Sequence, residues 1–111
     1  MSGYGILSLT INERAVLHAV YMPFIKYGAL FIPTDRSYQL GNEMFLLIKL
    51  MEQAKIIPVA GKVIWITPKR AQGSRVRGIG VQFIDPGESV KSYIENYLVE
   101  ELTSDKVTHT L

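Results

Sequence analysis

The side chains best suited to acid–base work near neutral pH are His18 and His109, and no cysteine accompanies them. Thiol nucleophiles, disulfides and thiolate-ligated metals are therefore excluded. A metal site would need several ligands converging from separate segments, and two histidines this far apart do not supply them. His18, inside the apolar stretch Ala15–Tyr21, reads as a half-buried strand residue, and His109 as a solvated tail residue. No Gly-x-Ser-x-Gly elbow offers a nucleophile, and Gly73-Ser74 reads as a turn in a polar loop. Gly78-Ile79-Gly80 begins like a dinucleotide fingerprint. However, Phe83 holds the third glycine position and a strand follows where a helix is needed. No Gly-Lys-Ser/Thr phosphate loop occurs, so an enzyme is the least favoured class.

Binding chemistry is better represented. Lys62, Lys69, Arg70, Arg75 and Arg77 fall in one stretch without an acid, while Asp85 to Asp105 holds six acids against Lys91. A basic loop beside Trp65 and Phe83 could hold phosphate and stack bases, but that mode needs a net-positive groove with interleaved aromatics. The net charge is only +2, and the aromatics concentrate elsewhere, in Tyr21-Met22-Pro23-Phe24-Ile25-Lys26-Tyr27. Seven consecutive residues of this kind cannot all enter one core. Tyr21, Phe24 and Tyr27, with Trp65 as a fourth, are therefore candidate anchors for a protein partner. The alternative, that they close one end of the fold beneath a helix, stands beside this reading.

These side chains need a frame, and 111 residues with 48% hydrophobic and 20% charged content are enough for one domain with a real core. No apolar run approaches the roughly 18–20 residues of a membrane span. Nor does a Lys or Arg precede the first apolar stretch as in a secretory signal, so a cytoplasmic residence is expected. Leu7, Leu9 and Ile11 alternate with polar residues, predicting a strand. The β-branched and aromatic content of 15–21 predicts another, although Leu17, Val20, Tyr21 and Phe24 also satisfy helical spacing. Ala29–Ile32 forms a short strand closed by Pro33. Met44–Met51, apolar on both faces, belongs in a closed or covered sheet. The run Ile56–Thr67 contains Pro58, which favours an edge or a bulge, and Gly61, which suits a bend; a polar loop over 68–77 leads into the alternating strand Gly78–Phe83. Asp85, Pro86 and Glu88 carry the signature of a helix start, followed by Val90, Tyr93, Ile94, Tyr97, Leu98 and Leu102 at helical spacing. The expected architecture is mainly β: an antiparallel barrel over about 6–84, an amphipathic helix over about 86–102, one domain across 1–103, and a mobile tail over 104–111.

Three segments, Pro23–Thr34, Val59–Pro68 with its Val63-Ile64-Trp65-Ile66-Thr67-Pro68 close, and Gly78-Ile79-Gly80-Val81-Gln82-Phe83, together resemble a PilZ domain. The likeness runs over roughly Ile6 to Phe83, and most closely suits the short single-domain type found in bacterial type IV pilus assembly. It implies a small antiparallel β-barrel with a helix, in agreement with the reading above. Many PilZ domains bind cyclic di-GMP through an Arg-x-x-x-Arg segment and an Asp/Asn-x-Ser-x-x-Gly motif, guanidinium forks gripping phosphates and guanine edges. Aligned on Gly28, the two polar motif positions here are Pro23 and Ile25, and Arg14-Ala15-Val16-Leu17-His18 offers His at the second basic position. The resemblance thus implies a non-enzymatic adaptor of pilus biogenesis and twitching motility that does not itself bind cyclic di-GMP and requires no cofactor. Its implied partners are the pilus-extension ATPase and a cytoplasmic signalling protein with degenerate cyclic-di-GMP synthase and phosphodiesterase domains, with no nucleic acid and no membrane insertion. A cyclic-di-GMP receptor with an atypical site is the alternative.

Overall fold

The computed structural model describes residues 5–51, 55–68 and 77–109, with side chains through Val99. The polar loop expected over 68–77 lies mostly outside these residues. The elements in order are β1 (Gly5–Ile11), α1 (Arg14–Val20), β2 (Tyr21–Met22), β3 (Ala29–Pro33), β4 (Glu43–Leu50), β5 (Ile57–Ile66), β6 (Gly78–Ile84) and α2 (Ser89–His109). The strands form one sheet in the order β1-β4-β5-β6-β3-β2, curled into a half-barrel. The protein is mainly β with a C-terminal helix, as expected. One pair departs from the antiparallel expectation: β1 runs parallel to β4, Leu7 facing Leu46 and Leu9 facing Ile48. The chain passes through α1, β2 and β3 between the two, so β4 can arrive beside β1 in the same direction.

The inner face is built by period-two alternation. Met44, Leu46, Ile48 and Leu50 of β4, Val59 and Val63 of β5, Ile79, Val81 and Phe83 of β6, and Leu30 and Ile32 of β3 are all buried in one cluster. Leu17 of α1 and Val90 and Ile94 of α2 close it from the other side. The opposite face of β4 is open: Phe45 is 49% exposed, and Leu47 and Lys49 are half-buried. The apolar run Met44–Met51 therefore does not lie in a sheet covered on both faces within this chain.

Two local expectations are corrected. Residues 15–21 form a helix with a two-residue strand at its end, not one strand. The helix has seven residues, too short to persist alone, and its β-branched residues oppose it. What holds it is burial of Leu17 at 0% exposure while Val16 stays at 44%: the 3.6-residue period serves the core where the two-residue period would not. At the other end, α2 begins at Ser89 rather than near Pro86. Asp85 to Glu88 closes a turn in which the Glu88 N–H donates to the Asp85 carbonyl at 2.8 Å and Glu88 takes φ +58°. Asp85 nevertheless caps the helix from this distance, its Oδ2 accepting from the Val90 N–H at 2.9 Å. The helical backbone then continues to His109, beyond the expected end near 102.

Helix α2 is tied to β2 by a polar contact. The Tyr21 hydroxyl donates to Glu95 Oε2 at 2.7 Å, and Lys91 Nζ donates to the same oxygen at 2.6 Å. Lys91 and then Tyr21 hold the Glu95 carboxyl below its ordinary pKa, while burial, followed by Glu95, pushes the Tyr21 phenol above its own. Tyr21→Ala is expected to destabilise the fold by about 3 kcal/mol, and Tyr21→Phe by about 1 kcal/mol, as read by chemical denaturation. The Glu95 contribution is fully present above the unfolded carboxylate pKa and is lost as pH falls through the lower folded value. The stability gap between wild type and Glu95→Gln should accordingly close below about pH 4.

Candidate functional site

The outer face of the sheet carries an open apolar groove of about 690 Å³ between α1, the β2–β3 turn and β5. Ala19 and Val20 form one wall, Met22 and Phe31 part of the floor, Phe24 and Ile25 the rim, and Ile64 and Trp65 the far wall, with Thr67 at one end. Phe24 is 79% exposed and Trp65 45%. The Phe31 and Trp65 rings meet at 6.1 Å between centroids, tilted by 58°. Tilted aromatic pairs of this spacing are attractive, so Trp65 is held in one pose while keeping an open edge.

A slip in strand register puts Trp65 there. Gly61 pairs with Phe83 and Val63 with Val81, but beyond a bulge Trp65 pairs with Gly80 and Ile66 with Ile79. The extra residue, Ile64, reverses the alternation, so that Trp65 moves to the outer face and Ile66 to the inner one. Gly80 makes room: a Cβ there would stand 3.2 Å from Trp65 Cβ and 3.1 Å from Met22 Cε. Past the bulge, Thr67 locks the strand end: its Oγ1 donates to the Gly78 carbonyl at 3.0 Å and accepts from the Gly78 N–H at 3.0 Å.

The rim is a turn that its own backbone and β6 hold in place. The Gly28 N–H donates to the Ile25 carbonyl at 2.8 Å, and the Phe83 N–H to the Gly28 carbonyl at 3.0 Å. Gln82 Nε2 donates to the Lys26 carbonyl at 2.9 Å. Tyr27 and Gly28 have φ of +68° and +83°. At Gly28 a Cβ would also press on the Phe83 and Tyr21 rings, at 3.2 and 3.3 Å. Pro23 and Ile25 lie in this turn, Pro23 exposed and Ile25 half-buried, and neither brings a polar side chain to the groove. Arg14 stacks over the Tyr97 ring of α2 at 5.8 Å.

Of the four aromatic residues expected to anchor a partner, the structure brings Phe24 and Trp65 to one groove. Tyr21 is corrected: at 6% exposure it belongs to the core, because its ring lies under Gly28 and its hydroxyl is bound by Glu95. Tyr27 is half-buried beside Lys26 Nζ, 5.1 Å from its ring, and does not line the groove. Val20, Met22, Phe31 and Ile64 were missed, since each sits in a run that reads as core until the bulge and α1 are known. His18 is exposed on α1, and among the described residues no group of three His, Cys, Asp or Glu is placed to hold a metal ion. No helix of the described residues is long and apolar enough to cross a membrane.

The described residues thus form a curled, mainly β sheet with a C-terminal helix and an open apolar groove on its outer face. The profile of the PilZ domain matches residues 7–100, and the chain belongs to the PilZ domain family. PilZ domains are ligand-binding and adaptor modules of cyclic-di-GMP signalling. No curated protein matches the chain significantly.

Gly80→Val should displace the Trp65 ring through contact at Cβ. Trp65 is the single tryptophan, so its fluorescence reports the change directly: a red-shifted emission maximum with a retained β-rich circular dichroism spectrum is expected. An unchanged emission maximum would mean that Gly80 does not seat Trp65.

Proposed function

We propose that this PilZ domain is a non-enzymatic adaptor in type IV pilus biogenesis and twitching motility, acting in the cytoplasm by protein–protein contacts. In this reading the groove between Phe24 and Trp65 is the contact surface, and the domain does not hold cyclic di-GMP on its own. The observation that carries it is the pairing of an exposed apolar groove with Pro23 and Ile25 at the two positions where ligand-binding relatives use polar side chains. A dianionic dinucleotide needs cations and hydrogen-bond donors at the contact; the side chains lining the groove include no cation, and their only polar groups are the Trp65 indole N–H and the Thr67 hydroxyl, which is already bonded to Gly78. An apolar side chain from a protein would instead be desolvated between two rings, the setting in which interface hot spots arise. The pilus-extension ATPase and a signalling protein with degenerate synthase and phosphodiesterase domains are the proposed partners, on the strength of the family resemblance.

Trp65→Ala and Phe24→Ala should each weaken binding to the extension ATPase by tenfold or more, as is common for an aromatic hot spot worth 1–2 kcal/mol or more. Phe24→Ala should keep wild-type folding within about 1 kcal/mol, because its ring is 79% exposed, whereas Trp65→Ala, whose ring is 45% exposed and packs on Phe31, should stay folded at a cost of about 2 kcal/mol. Surface plasmon resonance with the purified ATPase measures the first, thermal unfolding the second. Titration calorimetry with cyclic di-GMP should show no heat of binding; a 1:1 complex of micromolar affinity would overturn that part of the proposal.

A further inference from the structure

A second apolar surface lies on the outer face, away from the groove. Ile6, Phe45, Ala60 and Ile84 are successive Cα partners across β1, β4, β5 and β6, so they form one straight row of about 14 Å at ~4.8 Å per strand. Ile6 is 66% exposed, Phe45 49% and Ile84 41%. Leu47 and Pro58, paired with each other in the next row, widen the stripe. Between it and the groove runs a polar band, Glu43–Lys62–Gln82, whose members are again Cα partners. Gly80 at the groove and Ile84 in the row are four residues apart along β6, about 13 Å at ~3.3 Å per residue.

The charges around this row are mainly positive. Lys62 borders it on one side and Lys49 on the other, and neither makes an ion pair among the described residues. At the β6 end it opens into a cleft of about 420 Å³ lined by Lys55 and the first turns of α2. Against these three lysines stand the exposed Glu43, the Cα partner of Lys62, and the Asp85 carboxylate in the cleft lining, which keeps its charge while it caps α2; positive charge is in excess by one, with Lys49 flanking the row unopposed by either acid. The backbone of β4, β5 and β6 is bonded to neighbours on both sides, so this face offers side-chain packing alone. A helix can lie on such a face with its own backbone hydrogen bonds satisfied.

We propose that the Ile6–Phe45–Ala60–Ile84 row is a second docking face, receiving an amphipathic helix of a partner protein whose apolar stripe is flanked by acidic side chains. The inference rests on the reading of the domain as an adaptor and adds to it a face through which a second protein is held while the groove is occupied.

The test uses the full ¹⁵N-labelled chain and two synthetic helices of about 14 residues, roughly 20 Å long at ~1.5 Å per residue. Both carry a leucine stripe, flanked by Glu in one and by Lys in the other. The Glu-flanked helix should shift the amides of Ile6, Phe45, Ala60 and Ile84, leave the Trp65 indole signal in place, and bind at least tenfold more tightly than its Lys-flanked counterpart. Phe45→Asp should weaken it tenfold or more while the amide spectrum keeps the dispersion of the folded chain, and Lys49→Glu with Lys62→Glu should reverse the preference between the helices. Absence of binding, equal binding of both helices, or a self-dimer abolished by Phe45→Asp would overturn the proposal. Shifts confined to the Phe24–Trp65 groove would overturn it too, while leaving the groove reading intact. The groove reading instead fails if Trp65→Ala and Phe24→Ala bind the extension ATPase like wild type.

Discussion

The phase change at Ile64 is the constraint on which the outer surface depends. Upstream of it, Val59, Gly61 and Val63 point to the core; downstream, Ile66 does. With unbroken alternation, Trp65 would fall on the inner face next to Val63, where a tightly packed core has no space for an indole. One inserted residue turns a large aromatic outward without losing the strand, and the glycine opposite gives it a seat. The closure between Thr67 and Gly78 holds the shifted register beyond the bulge.

The groove has a second wall because α1 and the β2–β3 turn are anchored separately. Leu17 inserts into the core and Arg14 stacks on α2, while Tyr21 joins β2 to Glu95. The turn after Met22 is bound to β6 at Gly28 and Lys26. Ala19, Val20 and Phe24 are thus presented from elements that the core and the sheet hold at both ends. A surface of this kind meets a partner with little ordering left to do, and that lowers the entropic cost of association.

The mainly β class, the extents of β1, β3, β4 and β6, and a C-terminal helix were legible because their apolar periods were regular. Three features were not. The helix at 14–20 was hidden by β-branched residues whose local preference was overridden by one buried leucine. The start of α2 was displaced because the chain turns over Asp85–Glu88, with Glu88 in the left-handed region, before the helix begins, so Asp85 caps from farther back than the motif suggests. The third was which aromatics are exposed, since Tyr21 and Trp65 differ by strand phase rather than by residue type. A run with three aromatics announces that some must face water, but only register and the bulge decide which.

The same logic explains why the outer face escapes a sequence reading. Phe45 and Leu47 sit in an apolar run that reads as a strand covered on both faces, yet Phe45 is 49% exposed on the outer side of β4. On the outer face, pleat and register divide the exposed side chains into an aromatic groove, a polar band and a second apolar row. Each is a row perpendicular to the strands, formed by residues far apart in sequence. Glu43, Lys62 and Gln82 thus separate two apolar surfaces that would otherwise merge into one large exposed patch, of a kind that favours nonspecific association. A polar row between them keeps each exposed apolar surface small and distinct from the other.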